Sequence, residues 1–496
     1  MDSREYFRKF TDAEEFDRIA EKPTVTAMWR DCAKEFADST AVVFKGKSHT
    51  FAQLESDAAG FRTVLGKTAK DGRRIGILSA NSYDFVKAYL AVVTSGRTAV
   101  ILPAHLDQRS VFGCSMMFGL DALVYQPELK ESVSLVKAPL IDITEVSDEK
   151  TDMTDCDEKT PCVMMFTGGT TGKSKCALLS NGAVMQGTVN GCYGYSGVFG
   201  QRYMLVLPLS HVFGLIRNLM TSLYTGSALW ICDNNKNMYR DIQVFKPTVL
   251  VFVPALAEMS LALSKQFGKN MLGDDLKYII CGAAAVAPYL IEEYDKIGVQ
   301  LLQGYGLTET ANLVSGNPES LKYPDSIGFP YPNQEFKTVD GELWIRGKNM
   351  MDCYVGGDET GFDEDGWFHT GDLVSIDENG LLRITGRTKE IIVLSNGENV
   401  SPAELETHFN ALPFIQDSQV FEDVAENGRH ILALEVVPRK TVIANMNVEN
   451  IKEYIISELE KVNLTLPSFQ RVTRIEVRDS DFERTPSMKI ARYKKC

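Results

Sequence analysis

Two short apolar runs, Ile75-Gly76-Ile77-Leu78 and Ala99-Val100-Ile101-Leu102, flank a segment in which Phe85, Tyr89, Leu90 and Val93 recur at helical spacing. Asn81-Ser82 supplies a cap in front of that segment. A strand reached through a helical crossover lies parallel to the one before it, and a parallel sheet is covered by helices on both faces. The pattern recurs: 204–207, 228–231, 249–253 and 278–280 read as buried strands, and 213–223 reads as a helix between two of them. The body is therefore expected to be α/β rather than all-helical.

Past Pro330 the texture changes. Gly341-Glu342-Leu343-Trp344-Ile345-Arg346-Gly347 and Gly380-Leu381-Leu382-Arg383-Ile384 are short, turn-bounded strands of the antiparallel kind. From Thr388 onward come a charged turn, a strand at 391–393, a helix opening on Ser401-Pro402-Ala403-Glu404 and another over 451–461. We expect an α/β fold: a large N-terminal domain over 1–387, made of α/β subdomains plus a β subdomain, and a small α+β domain over 388–496.

The 496 residues suffice for about three domains or subdomains. A net charge of −14 argues against a dedicated nucleic-acid binder, because a phosphate backbone demands a basic face. Ten scattered cysteines with no C-x-x-C pair indicate neither a zinc site nor a disulfide framework. The N-terminus lacks the apolar core of a signal peptide, and no run reaches the ~18 apolar residues of a membrane span. A reducing cytoplasm fits this usage.

Chemistry enters at Thr167-Gly168-Gly169-Thr170-Thr171-Gly172-Lys173-Ser174-Lys175, which follows the apolar run 162–166. Glycines let backbone N–H groups approach an anion, hydroxyls add donors, and lysine adds charge, so the loop suits phosphate. A Walker loop would need glycine at 167, where Thr167 stands. The competing reading of the loop by itself is a flexible surface turn.

Five more segments follow in order: Leu207-Pro208-Leu209-Ser210-His211-Val212-Phe213-Gly214, Gln303-Gly304-Tyr305-Gly306-Leu307-Thr308-Glu309-Thr310, Thr370-Gly371-Asp372-Leu373, Gly386-Arg387-Thr388-Lys389-Glu390, and Ser487-Met488-Lys489-Ile490-Ala491-Arg492. Together with the loop they resemble the adenylate-forming superfamily of acyl-CoA synthetases, peptide-synthetase adenylation domains and beetle luciferases, over nearly the whole chain. The stretch 391–402 resembles bacterial medium- and long-chain fatty acyl-CoA synthetases.

That resemblance implies an ATP- and Mg²⁺-dependent enzyme. It assigns Thr167, Gly168, Gly169, Thr170, Thr171, Gly172 and Lys175 to the ATP phosphates, and Gly282, Ala283 and Ala284 with Gly304, Tyr305, Gly306 and Thr308 to the nucleotide pocket. Glu309 and Thr170 would hold the metal, a hard cation that takes oxygen ligands; Asp372 and Arg387 would hold the ribose. Read singly, Glu309 is a turn carboxylate, Asp372 an Asx-turn residue and Tyr305 a packing aromatic.

Lys489 matches the catalytic lysine, a cation placed where an attacking carboxylate meets a phosphate; read singly it is a surface lysine. The implied reaction joins the acid to AMP, releasing pyrophosphate, and then passes the acyl group to a thiol. The resemblance implies a mobile C-terminal domain that rotates between the two steps about Lys389 and presents Gly397 to the thiol channel.

Departures from the family pattern are Gly168 for serine, Ser174 for proline, Cys176 for glycine, Asn181 for a frequent histidine and Met488 for glycine. The acyl pocket is expected at His211, Phe213, Gly214 and Leu215, where no carboxylate awaits an amino group, so a plain apolar acid, a fatty acid first, is favoured over an amino acid. His211 is either a gate or a hydrogen-bonded core residue. Coenzyme A is the expected acceptor. The alternatives are the phosphopantetheine of a carrier protein, separate because the chain ends at Cys496, a non-catalytic nucleotide-binding protein on the same fold, and an oxidative, luciferase-like activity.

Overall fold

The computed structural model describes residues 2–167, 175–356, 361–393, 399–424, 430–444, 446, 448, 450–484 and 490. The first βαβ unit forms as its pattern requires. Strands Arg74–Leu78 and Thr98–Leu102 pair in parallel, Ile77 opposite Ile101, and helix Tyr83–Val93 crosses between them. Ser82 is the N-cap, its Oγ accepting from Phe85 N–H at 3.0 Å. Asn81, expected to share the capping, instead accepts from Leu209 N–H and donates to Leu207 C=O, both at 2.8 Å.

Two sheets of mixed strands make the body. One runs, among the described residues, Phe329–Pro330, Ser315–Asn317, Gln300–Tyr305, Tyr278–Cys281, Val249–Phe252, Arg202–Leu205, Ala228–Ile231, Thr40–Phe44 and Lys47–Thr50, parallel in its interior and antiparallel at both edges. The other runs Cys353–Val355, Cys176–Ser180, Pro161–Phe166, Thr98–Leu102, Arg74–Leu78, Ala122–Tyr125 and Leu140–Asp142. Helices bury their apolar faces on both, and a shared core runs from Trp29 and Phe61 through Leu90, Val184 and Leu250 to Leu343. The expected helix over 213–223 forms as a wide π helix, Phe213–Met220, continued by an α-turn, Thr221–Tyr224.

The antiparallel subdomain is a four-stranded sheet of Gln334–Val339, Glu342–Gly347, Phe368–Ile376 and Leu382–Arg387. A single turn, Thr388–Glu390, leads into the small C-terminal domain, which has its own core around Leu405, Phe409, Leu434, Ile455 and Leu459. Its helix Pro402–Asn410 is capped by Ser401, whose Oγ also donates to Thr385 C=O at 2.7 Å. Arg439 of the same domain stacks on Tyr289 of the large one, 4.3 Å from the ring centre, and reaches Glu258 at 3.4 Å.

Candidate nucleotide-binding site

Parallel sheets place their functional loops at the carboxyl ends of the strands. Here strand Pro161–Phe166 ends at Thr167, strand Tyr278–Cys281 at Gly282, and strand Gln300–Tyr305 at Gly306. The first belongs to one sheet and the other two to the second, so the candidate residues are drawn from both sheets.

Thr167 N–H donates to Lys175 C=O at 3.0 Å and closes the neck of the loop. Gly168, Gly169, Thr170, Thr171 and Gly172 lie outside the described residues. The return arm is an antiparallel strand, Cys176–Ser180, with Cys176 wholly buried in it. Asn181 follows, its Nδ2 on Thr160 C=O at 3.0 Å and its Oδ1 accepting from Val25 N–H at 3.1 Å, so it braces the core.

The Lys175 ammonium sits 5.1 Å from the centre of the Tyr354 ring. The Tyr354 hydroxyl donates to Glu309 Oε1 at 2.7 Å. One tyrosine thus joins the cation at the neck of the loop to the half-buried carboxylate of the Gly306–Glu309 region. The segment before Tyr354 grips the same turn. Met351 N–H donates to Glu309 C=O at 2.8 Å, and Asn349 Nδ2 donates to the carbonyls of Thr310 and Leu313 at 2.9 and 2.8 Å. Gly306 has no room for a side chain: a Cβ there would fall 1.1 Å from Asn312 C=O. Thr308 is buried in the short turn Thr308–Thr310.

A second cluster lies on the antiparallel subdomain. Asp372, only 1% exposed, accepts from Arg387 Nε at 2.6 Å and from the Tyr305 hydroxyl, and its own N–H donates to Thr370 Oγ1 at 3.0 Å. Asp372 and Arg387 are direct cross-strand partners. Burial, then the Asp372 charge, raises the Tyr305 phenol well above its ordinary range, so it remains a donor. Burial works against the Arg387 charge, but Asp372 outweighs it and the guanidinium is held more firmly protonated than usual. Two carboxylate oxygens offer about four acceptor sites, so these two contacts leave capacity for further donors. Tyr305, read singly as a packing aromatic, is buried and also serves Asp372 through its hydroxyl.

The turn after strand Tyr278–Cys281 carries Gly282 and Ala283, the latter at φ +70°, a strained conformation for alanine. A Cβ on Gly282 would stand 3.3 Å from Gly304 C=O and 3.4 Å from the Phe213 ring, so this turn and the start of the π helix converge. Ala283 is half-buried and Ala284 beside it is exposed. Gly214 is pressed to Pro208, whose oxygen lies 2.3 Å from where a Cβ would be, and Leu215 is fully buried. His211 Nδ1 accepts from Phe213 N–H at 3.2 Å, which favours the reading of a bonded residue at the head of the helix.

The Lys389 backbone lies in the Thr388–Glu390 turn, where Thr388 Oγ1 donates to Gly371 C=O at 3.2 Å. Gly397 and Lys489 lie outside the described residues. Sequence reasoning missed Tyr354 and Asn349; no motif marks either, and pairing of strand Cys353–Val355 with Cys176–Ser180 is what brings Tyr354 to Lys175.

Residues 29–355 match the family model described as AMP-binding enzyme, and residues 389–495 match the AMP-binding enzyme C-terminal domain. The chain belongs to the AMP-binding enzyme family. This AMP-binding enzyme is 27% identical to the long-chain-fatty-acid--CoA ligase FadD15 of Mycobacterium bovis, over 67% of each chain. It is also 27% identical to the oxalate--CoA ligase of Arabidopsis thaliana, over 95% of this chain and 97% of that one. Its fold is that of an anthranilate CoA ligase, AuaEII, in complex with anthranoyl-AMP, with a TM-score of 0.83 and 19% identity over 94% of this chain and 95% of that one. Among the described residues, no helix is long and apolar enough to cross a membrane.

Proposed function

We propose that this AMP-binding enzyme is an acid–thiol ligase that consumes ATP, a carboxylic acid and coenzyme A and yields an acyl-CoA, AMP and pyrophosphate. The observation that carries the reading is the meeting of Lys175 and Glu309 on Tyr354, which sets a cation and a hard oxygen donor at the mouth of a glycine- and threonine-rich loop. In this reading Thr167, the loop from Gly168 to Gly172, and Lys175 bind the phosphates; Gly282, Ala283, Ala284, Gly304, Gly306 and Thr308 border the adenine; Asp372, held by Tyr305 and Arg387, takes the ribose hydroxyls. Glu309 with the Thr170 hydroxyl fits Mg²⁺, because both offer oxygen ligands; the ion supplies neutralisation of phosphate charge.

Lys489 is assigned the cation that brings carboxylate and phosphate together, Lys389 the hinge, and Gly397 the thiol channel, with the domain boundary at 387/388. The acid is taken to be apolar next to its carboxyl, since Phe213, Leu215 and Ile216 offer no polar group there; fatty acids are the first class to test. The relatives act on acids as different as fatty acids and oxalate by their names, so the family alone does not choose among them. The unpaired cysteines suit the cytoplasm.

The test is pyrophosphate release with ATP and Mg²⁺ across fatty, aryl and amino acids, with and without coenzyme A. AMP and thioester formation from one acid class supports the ligase. Release without coenzyme A turnover would assign the acceptor to a carrier protein, and silence across the panel would remove the reading. Lys489→Ala should abolish acyl-adenylate formation yet keep thiol transfer from a supplied acyl-adenylate; parent-rate adenylation in that variant would withdraw the assignment.

A further inference from the structure

The π helix Phe213–Met220 carries a charge in its middle. Arg217 is 2% exposed, surrounded on its own helix by buried Phe213, Ile216 and Met220. A guanidinium stays protonated inside a protein, and a buried charge without a counter-charge is destabilising. Among the described residues no carboxylate pairs with it. Nη2 makes one long hydrogen bond, 3.5 Å, to the Tyr195 hydroxyl, the Tyr203 hydroxyl also interacts with the guanidinium, and Nη1 has no hydrogen-bond partner. Its surroundings are phenols: the rings of Tyr195 and Tyr203 lie 5.7 and 6.0 Å from the guanidinium carbon, and their hydroxyls bond each other at 2.7 Å. Tyr331 stands nearby, and burial raises all three phenols and the Cys192 thiol above their ordinary ranges, so none supplies a negative charge.

The position of this charge relates it to the acyl site. One helical turn before it, Phe213 packs on Gly282 and so borders Gly304. Gly304 pairs across the sheet with Gly316, and the Tyr331 hydroxyl fills the space that a Cβ on Gly316 would take, 2.1 Å away. Arg217 therefore sits behind the patch of glycines and aromatics at which the acid is proposed to bind. π-type segments are frequent at functional sites, where they re-aim side chains.

We infer that Arg217 is a specificity-determining residue that receives a second, anionic group at the far end of the acyl substrate, so that the preferred acid is a dicarboxylic acid with an apolar stem. This rests on the ligase reading and narrows it. Phe213 and its apolar neighbours flank the stem, and the distal carboxylate takes the free Nη1 donors and neutralises the buried charge.

The experiment compares α,ω-diacids with monoacids of equal length, from short to ten-carbon chains, in AMP and pyrophosphate formation by the full chain. A hydrogen bond to a charged group corresponds to roughly 10- to 150-fold, and the diacid should exceed its matched monoacid in kcat/KM by a factor in that range. Arg217→Met should lose the diacid advantage and keep or gain monoacid turnover. Its ligand-free melting temperature should equal or exceed the parent's, because an apolar replacement of an uncompensated buried charge is neutral or stabilising. Arg217→Lys, which keeps the charge without the fork, should fall between the two.

Equal use of diacids and monoacids by the parent, with the same ratio in Arg217→Lys, would overturn the inference while leaving the ligase intact. So would an Arg217→Met variant that melts lower with no change in acid preference, which would make the arginine a core residue. Failure of every acid to release pyrophosphate would remove the ligase reading, and this inference with it.

Discussion

Tyr354→Phe isolates the contact that joins the two halves of the candidate phosphate site. It deletes the hydroxyl that donates to Glu309 at 2.7 Å and leaves the ring 5.1 Å from Lys175. A hydrogen bond to a charged acceptor contributes about 1.5–3 kcal/mol. Glu309 is only half-buried, so water replaces part of what is lost and the low end applies, about 1.5 kcal/mol or roughly tenfold in rate. The backbone grip from Met351 and Asn349 is untouched, so the turn itself should remain in place. The assay is acid-dependent pyrophosphate release against Mg²⁺ concentration, with Glu309→Gln and the double variant completing a cycle. We expect Tyr354→Phe to lower release about tenfold, to raise the Mg²⁺ requirement, and to leave the KM for the acid unchanged. In the Glu309→Gln background the same change should do almost nothing, because the two residues act through one contact. Parent-like release in Tyr354→Phe, or effects that simply multiply in the double variant, would refute the coupling.

Asp372→Asn keeps the shape but removes the charge opposite Arg387; because that arginine is 39% exposed, the loss of stability should be about 1–3 kcal/mol, with the KM for ATP rising roughly tenfold, and an unchanged KM would detach Asp372 from the nucleotide. Gly306→Ala forces a Cβ to 1.1 Å from a backbone oxygen, so urea denaturation should show at least about 3 kcal/mol lost; a parent-like midpoint would contradict the geometry. His49 stacks on Tyr83 at 3.6 Å, and burial, then Lys47, depress its pKa below 6.5. The neutral ring is thus favoured in the folded state, and its stabilising contribution is complete above about pH 6.5 and lost as pH falls through the depressed value. Melting temperatures from pH 8 to 5 should fall further in the parent than in His49→Gln, and parallel curves would exclude His49 as the cause.

The strands were legible because each is a short apolar run between turn residues. The runs at 228–231 and 249–253 form as Ala228–Ile231 and Val249–Phe252, and the helical spacing of Phe85, Tyr89, Leu90 and Val93 forms as Tyr83–Val93. Local chemistry also marked Ser82 as a cap and Ser401 as the opening of a helix, which it caps. The winding of 213–220 was not legible, since the same apolar stripe serves a π or an α helix until its neighbours fix the hydrogen bonds. Nor was Asn81, which reads as a cap by type and is taken up as a brace on Leu207 and Leu209 by a loop more than 120 residues away.

By itself the sequence determined the α/β body, the antiparallel subdomain and the small separate domain, because periodicity is a property of neighbouring residues; Thr167, Lys175, Glu309, Asp372 and Arg387 were singled out by resemblance to a family. The tertiary structure alone decided that Tyr354 links Lys175 to Glu309, that Tyr305 serves Asp372, and that Arg217 is buried among phenols with no carboxylate paired to it among the described residues. Those facts depend on strand pairing and on what fills the space between elements. A hydrogen bond or a buried charge is defined by which atoms meet across the fold, and residues distant in sequence carry no local signal of that meeting.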